Sequence, residues 1–587
     1  MIEDYALIGS RGSAALVSKT GSIDWLCLPR FDSPACFTAL LGSTKHGRWL
    51  ITPTGQQPSV ERQYRHGSTV LETTFAVGGG TVVLTDAMQR RDEHHDVLRH
   101  LKCTAGKVRI KFELILRSDF GLIVPRLKKL SGGCCQAITG PDKFLINSQV
   151  ELELTDSAEI CAQFSIEAGQ ELAFSLTWSP SYHENPPAPD VTNGIERETK
   201  RWQDWAKQFK PKGDYAEAEL RSIVTLQALT DEQTGGFIAA ATTSLPEQIG
   251  GDKNWDYRFC WLRDGAFSLR GLIDAGFTED AKSWHKWLLR AVANSPDKMQ
   301  IMYNIQGKRN LQERKLHWLP GYKDSRPVRD GNEASSQFQL DIFGQVLDIF
   351  YQARDAGVRI AEESWPLERA LVEEVLKRWR NPDAGIWELR KQVQQFTESK
   401  VMAWVAVDRG IKSIERFGCD GPVEKWREAR SEMHDAICRA GFNTKLNSFV
   451  QYFGGDSLDA ALLLLPLFDF LPADDPRILG TVQAIEKNLL RDGLVVRYHN
   501  YGNAAKPKVQ EGTFLACSFW LVDNYVRQGR KEEARELFER LLYLRNDVGL
   551  MSEEYDTQNG HMIGNYPQAL THAALIRSVH TLNEASS

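Results

Sequence analysis

Hydrophobic and polar positions follow two different rhythms along this chain, and the rhythm changes near Pro211. From Ala6 to Trp178 the apolar residues come in short runs with partial alternation, as in Thr81-Val82-Val83-Leu84, Val108-Arg109-Ile110-Lys111-Phe112-Glu113-Leu114 and Leu172-Ala173-Phe174-Ser175-Leu176. Turn-forming stretches such as Gly78-Gly79-Gly80 and Ser131-Gly132-Gly133 separate them. A period of two between turn signals predicts many short strands, and together they predict an N-terminal antiparallel β-sandwich over roughly 1–190. The breaker-rich Pro186-Pro187-Ala188-Pro189 ends that pattern. Ile195, Trp202, Trp205 and Phe209 then share one face of a predicted linker helix over roughly 191–213.

Beyond Pro211 the period becomes 3.6. The spacing predicts about twelve helices, at roughly 215–229, 264–275, 278–294, 335–356, 364–380, 399–417, 422–440, 456–469, 477–489, 512–528, 531–545 and 566–582. Connections after even-numbered helices are short, roughly two to seven residues. Those after odd-numbered helices run roughly fifteen to forty, well above the usual median of about four to six. If successive helices are antiparallel, every long loop leaves from the same end. Six helical hairpins with one decorated end predict an (α/α)6 helical barrel over roughly 214–587 with a pocket at that end. An irregular helical domain or a solenoid is the alternative, because no sequence repeat is visible.

At 587 residues and 42% hydrophobic the chain is too long for one core. Its net charge of -6 comes from interspersed acids and bases, which argues against a nucleic-acid or anionic-membrane partner and fits a neutral small molecule. Met1-Ile2-Glu3-Asp4-Tyr5 lacks a basic and an apolar leader region, and the longest apolar run, Ala460 to Leu465, stops at Pro466. A cytoplasmic protein is expected. The ten cysteines lack metal-ligand spacing, and the adjacent Cys134-Cys135 pair suits neither zinc nor a disulfide, so reduced thiols and no metal are expected. A homo-oligomer is compatible with this composition.

The long loops carry the chemistry. The first holds Asn254-Trp255-Asp256-Tyr257-Arg258-Phe259-Cys260-Trp261-Leu262-Arg263-Asp264, and the second holds Trp318, Tyr322 and Arg326-Pro327-Val328-Arg329-Asp330-Gly331-Asn332. The third holds Gly385-Ile386-Trp387-Glu388, and the fourth Tyr452-Phe453-Gly454-Gly455-Asp456. The fifth holds Arg497-Tyr498-His499 and Glu511, and the sixth Ser552-Glu553-Glu554-Tyr555-Asp556. Aromatic rings beside Arg/Asp pairs suit a sugar, which offers apolar C–H faces for stacking and hydroxyls for paired polar contacts. Glycosidic cleavage needs an acid to protonate the leaving oxygen and a second group on the opposite face of the ring. Glu388 follows Trp387, and an apolar wall there would keep it protonated. Glu553, beside Glu554 and near Asp556, is expected in a more polar setting that suits an ionised base. The structural alternatives are a helix-flanking acid for Glu388 and a solvated acidic turn for Glu553, Glu554 and Asp556.

At these motifs the chain resembles glycoside hydrolase family 15, which contains glucoamylases, glucodextranases and bacterial trehalases. The residues that carry the resemblance are Asn254-Trp255-Asp256-Tyr257-Arg258 with Trp261-Leu262-Arg263-Asp264, then Ser325-Arg326-Pro327-Val328-Arg329, Gly385-Ile386-Trp387-Glu388 and Ser552-Glu553-Glu554-Tyr555-Asp556. The opening Gly21-Ser22-Ile23-Asp24-Trp25-Leu26-Cys27-Leu28-Pro29-Arg30-Phe31-Asp32-Ser33-Pro34 is similar to the N-terminal domain of the trehalase-like branch. The resemblance implies an inverting α-glucoside hydrolase without an organic cofactor, with trehalose the preferred substrate and maltooligosaccharides the alternative. It implies Glu388 as general acid and Glu553 as general base, with Glu554 as the rival base. It also implies Arg263 and Asp264 as holders of glucose hydroxyls and Arg497 as an arginine near the cleavage point, with Trp261, Trp318, Trp387 and Glu511 as further substrate contacts. Arg329-Asp330-Gly331-Asn332-Glu333-Ala334 departs from the branch by carrying acids where neutral residues are expected. An inverting disaccharide phosphorylase is disfavoured by the candidate base at Glu553 and by the lack of a late anion-binding loop. A non-catalytic sugar-binding protein is disfavoured by the survival of both carboxylates.

Overall fold

The computed structural model describes residues 1–587 except 56, 293–294, 359–363, 391, 499–510 and 587. The N-terminal region is the predicted antiparallel sandwich, organised around one strand, His94–Ile115, 22 residues long. Its first half pairs with Gly80–Arg91 and Glu171–Pro180, and its second half with Arg48–Pro53 and Ile160–Glu167. One strand therefore serves both sheets. It turns from one to the other at Gly106, where φ is 68° and a Cβ would lie 2.0 Å from the Gly79 carbonyl oxygen, so only glycine fits. Val108, Ile110, Phe112 and Leu114 fill the core from alternate positions.

The linker helix, Val191–Ala206, is capped by Asp190, whose side chain accepts from the Asn193 N–H. It ends earlier than the predicted 213. Val191 and Ile195 pack on Val70, Ala87 and Leu98 of the sandwich. At its other end Trp205 lies 4.5 Å, centroid to centroid, from Phe277 of the helical region. The helix thus ties the two halves together.

The helical region is a closed double ring. The inner ring runs Leu262–Asp274, Asp341–Asp355, Thr397–Phe417, the short 3-10 turns from Ala460 to Phe468, Leu515–Arg527 and Ala569–Ser586, and the last helix packs back on the first. Helices Ala216–Ala228, Thr278–Val292, Ser364–Arg378, Val423–Ala440, Pro476–Leu489 and Lys531–Tyr543 lie outside them. Eleven of the predicted helices are present. The exception is 456–469, which is two 3-10 turns, Ala460–Leu464 and Pro466–Phe468. Pro466 has no N–H to donate and its ring would strike the Leu462 carbonyl of a continuous α-helix.

Each inner helix follows a long loop, so the inner N-termini all face the decorated end. Asp264, Asp341 and Glu398 occupy first helical turns, and Asp459 caps its 3-10 turn by accepting from Ala461 N–H, where unpaired N–H groups favour negative charge. Among the described residues no helix is long and apolar enough to cross a membrane.

The sandwich and the barrel are locked together by buried polar groups. Trp25 donates from Nε1 to the Ala241 carbonyl at 2.8 Å. Arg258, fully buried, forks onto Asp256 at 2.9 and 2.6 Å, reaches the Ser33 carbonyl of the sandwich at 2.8 Å and meets Asp330 at 2.8 Å. Removing one partner of such a network strands a buried charge. Arg258→Met is expected to lower stability by about 3–5 kcal/mol, read as a fall in denaturant midpoint. An unchanged midpoint would mean that Asp256 and Asp330 find other partners.

Candidate active site

Three long loops place the two carboxylates. In the third, Gly385 has φ 69° and a Cβ there would lie 2.7 Å from the Phe396 ring, so the chain turns tightly before Glu388. Glu388 itself has φ 57°, a left-handed conformation that costs a residue with a side chain about 1–2 kcal/mol. In the sixth loop, strand Glu554–Asp556 is paired between Thr513–Phe514 and His561–Ile563. Glu553 directly precedes it, with its N–H donating to the Asn565 carbonyl and its own carbonyl accepting from Leu515. The first loop ends in the two-residue strand Cys260–Trp261, paired with Met302–Tyr303.

Tyr257 and Trp261 of that first loop bridge the carboxylates. The Tyr257 hydroxyl donates to Glu553 Oε1 at 2.6 Å, and Trp261 Nε1 donates to Glu388 Oε1 at 2.6 Å. Their rings meet at 5.3 Å, tilted by 61°. Arg263 donates to the Ile386 carbonyl at 2.6 Å, pairs with Asp264 at 3.0 Å and stands 3.8 Å from Glu388 Oε1. Trp387 turns its N–H to Asp459 Oδ1 at 2.8 Å and packs its ring on Phe514 and Trp520. Trp261, rather than Trp387, is the tryptophan that holds the Glu388 carboxylate.

Behind Glu553 lies a dense charge cluster. Arg497 Nη2 bonds to Glu247, meets Glu511 Oε2 at 2.9 Å and stands 3.3 Å from Glu554 Oε1, which is ion-pair range without hydrogen-bond geometry. Lys253 pairs with Glu511. The Arg497 guanidinium also packs on Trp387 at 5.6 Å and on Phe514 at 5.2 Å. Glu247, Glu511 and Glu554 each present an oxygen within 4.8 Å of the others, the one such three-acid group among the described residues. Arg497 and Lys253 already supply the positive charge that a metal would bring, so the donor set does not fit a cation.

Burial raises the Glu388 pKa, opposed by Arg263 and by the Trp261 hydrogen bond. Glu553 does not sit in the more polar setting expected from sequence, nor in a solvated acidic turn. It is 1% exposed, and burial with the nearby Glu247 pushes it up to about 8, against Arg497 and Tyr257. Burial raises Glu554 as well, opposed chiefly by Arg497. Burial works against the Arg497 charge, but Glu247 and Glu554 outweigh it.

The structure thus gathers Glu388, Glu553, Glu554, Trp261, Arg263, Asp264, Trp387, Arg497 and Glu511. Trp318 stands apart, with its N–H committed to the Phe120 carbonyl of the sandwich at 3.0 Å. No hydrogen bond among the described residues joins it to the carboxylates, and it serves the contact between sandwich and barrel. His499 lies outside the described residues. The unexpected acids of the second loop have structural partners: Asp330 holds Arg258 and Arg314, and Glu333 is a mostly exposed neighbour of Arg390. Glu247, central to the charge cluster, follows Pro246 without any motif and carried no signal in the sequence.

Comparison with known proteins agrees with this architecture. Residues 213–580 match the family Glycosyl hydrolases family 15, and residues 1–174 match the family Trehalase-like, N-terminal. A trehalase of Mycobacterium tuberculosis is 36% identical, with 98% of this chain and 89% of that protein covered. One of Thermoplasma volcanium is 32% identical, with 100% and 94% covered. A bacterial glucoamylase complexed with acarbose superposes with a TM-score of 0.74 at 13% identity, covering 100% of this chain and 94% of that one, which shows a common fold. Matched over its barrel and its sandwich alike, the chain belongs to glycosyl hydrolases family 15, in the branch with a trehalase-like N-terminal domain, and is a glycoside hydrolase.

Proposed function

We propose that this enzyme splits trehalose into two glucose molecules by one inverting displacement. The observation that carries the reading is the line Glu553–Tyr257–Trp261–Glu388, which sets one buried and one half-buried carboxylate on facing loops with an aromatic wall between them. The full-length likeness to proteins named trehalase supports the choice of sugar. Arg263 and Asp264 bind hydroxyls of the glucose unit to be cleaved, and Trp387, Arg497 and Glu511 complete its pocket. Glu388 protonates the glycosidic oxygen as the oxocarbenium-like state forms. Glu553 takes a proton from a water that attacks the opposite face, and β-glucose leaves from that ring. The leaving glucose keeps its α configuration. Burial favours the protonated Glu388 that this step needs. The ten free cysteines accord with a cytoplasmic enzyme.

The test is time-resolved proton NMR of the enzyme with trehalose. Equal early signals of α- and β-glucose are expected. No glucose would move the substrate to α-linked gluco-oligosaccharides, and early α-glucose alone would overturn inversion.

The base must be ionised, and burial with Glu247 sets the Glu553 limb of kcat/KM near its pKa of about 8, above the usual carboxylate value of about 4.3. Glu247 raises Glu553, so Glu247→Gln is expected to move the limb that Glu553 sets to lower pH, by roughly one unit. An unmoved limb would show that Glu247 does not act on the base.

A further inference from the structure

The strained turn at Glu388 persists only if its neighbours over-determine it. On its N-terminal side Arg263 holds the Ile386 carbonyl, and the Glu388 N–H donates to the Gly385 carbonyl at 3.1 Å. On its C-terminal side, two residues on, is Arg390. Its guanidinium lies 4.1 Å from the Trp255 ring centroid, and its Nη2 donates to Glu313 Oε2 at 2.6 Å. Glu313, its side chain 9% exposed, is itself pinned. Its Oε1 accepts from Arg329 Nε at 2.9 Å, and Arg329 packs on Trp255 at 4.3 Å while donating to the Asp252 and Asn254 carbonyls at 3.0 and 2.8 Å. The indole and the carboxylate therefore belong to a rigid assembly of the first and second loops, and Arg390 is the point where the third loop is fastened to it. A bidentate acid and an aromatic face fix a planar guanidinium in both position and orientation, which an ammonium cannot reproduce.

Resting on Glu388 as general acid, we propose that Arg390 is a positioning residue: gripped by Glu313 and Trp255, it holds the left-handed turn that aims Glu388 at the glycosidic oxygen. Its positive charge also faces Glu388 and favours the anion there, so removing the charge raises the Glu388 pKa. A general acid misplaced by about an ångström loses up to a hundredfold in rate. That loss falls on substrates whose leaving oxygen needs a proton and spares those whose leaving group does not.

The experiment compares trehalose with α-glucosyl fluoride in Arg390→Met, Arg390→Lys, Glu313→Gln and Glu388→Gln. In Arg390→Met, kcat on trehalose is expected to fall at least tenfold and on the fluoride by less than about threefold. The limb of kcat/KM for trehalose that Glu388 sets moves to higher pH. Arg390→Lys restores the limb but not kcat, and Glu313→Gln shows the same preference for the fluoride. Equal losses on both substrates, or no movement in Arg390→Met of the limb that Glu388 sets, would overturn the proposal. If Glu388→Gln discriminates between the substrates and Arg390→Met does not, the positioning role alone fails. If Glu388→Gln does not discriminate, the assignment of the general acid fails first.

Discussion

Glu388→Gln is expected to lower kcat on trehalose by at least about a hundredfold and up to ten-thousandfold, the range that general acid help contributes. The fold should be indifferent to the change. An amide oxygen accepts from Trp261 Nε1 as the carboxylate oxygen does now at 2.6 Å, and Arg263 at 3.8 Å keeps its bonds to Asp264 and the Ile386 carbonyl. The side chain keeps its length, and burial already disfavours the anion. What disappears is the proton. The leaving glucose would depart as a poorly stabilised alkoxide, whereas fluoride departs without protonation, so turnover of α-glucosyl fluoride should fall by about tenfold or less. The limb of the pH profile that Glu388 sets should vanish with it. Near-normal trehalose turnover in a folded Glu388→Gln enzyme would remove Glu388 from the mechanism.

Much of this arrangement was legible because it is local. The 3.6 period marks helices wherever one face is apolar, and the alternation of short and long connections orients them without any knowledge of contacts. The helix at 456–469 failed for a local reason also, since Pro466 breaks an apolar run whose period alone suits a helix. The alternation from Val108 to Leu114 was visible, but the single strand from His94 to Ile115 was not, because its passage between two sheets at Gly106 depends on partners elsewhere. The site shows the same division. The acids and aromatics stood out by type and clustering. Their pairing did not, because Tyr257 meets Glu553 across 296 positions and Trp261 meets Glu388 across 127. The same is true of Glu553's surroundings. Its neighbours in sequence are acidic and polar, while in space it is sealed against Tyr257 and Glu247 with one carboxylate oxygen lacking a hydrogen bond.

That sealed environment makes Glu553→Gln the sharper of the two substitutions, because its effects on activity and stability have opposite signs. Activity should fall by roughly a hundredfold to ten-thousandfold on trehalose and on α-glucosyl fluoride alike, since water must be activated whichever group departs. Added azide, a nucleophile that needs no base, should restore part of the turnover on the fluoride and yield β-glucosyl azide. Stability should rise. A carboxyl whose pKa climbs from about 4.3 unfolded to about 8 folded binds more protons in the native state, so its contribution to stability is present at low pH and is lost as pH rises through that interval. An amide at this position carries no such penalty, and the melting temperature at neutral pH should exceed that of the parent enzyme, an instance of stability traded for function. Glu554→Gln provides the control. Glu554 is also buried, but its neighbour is Arg497 rather than the Tyr257 that leads to Glu388, so its loss should act mainly on KM through the arginine. A larger fall in kcat for Glu554→Gln than for Glu553→Gln, with azide rescue in the former, would transfer the base to Glu554.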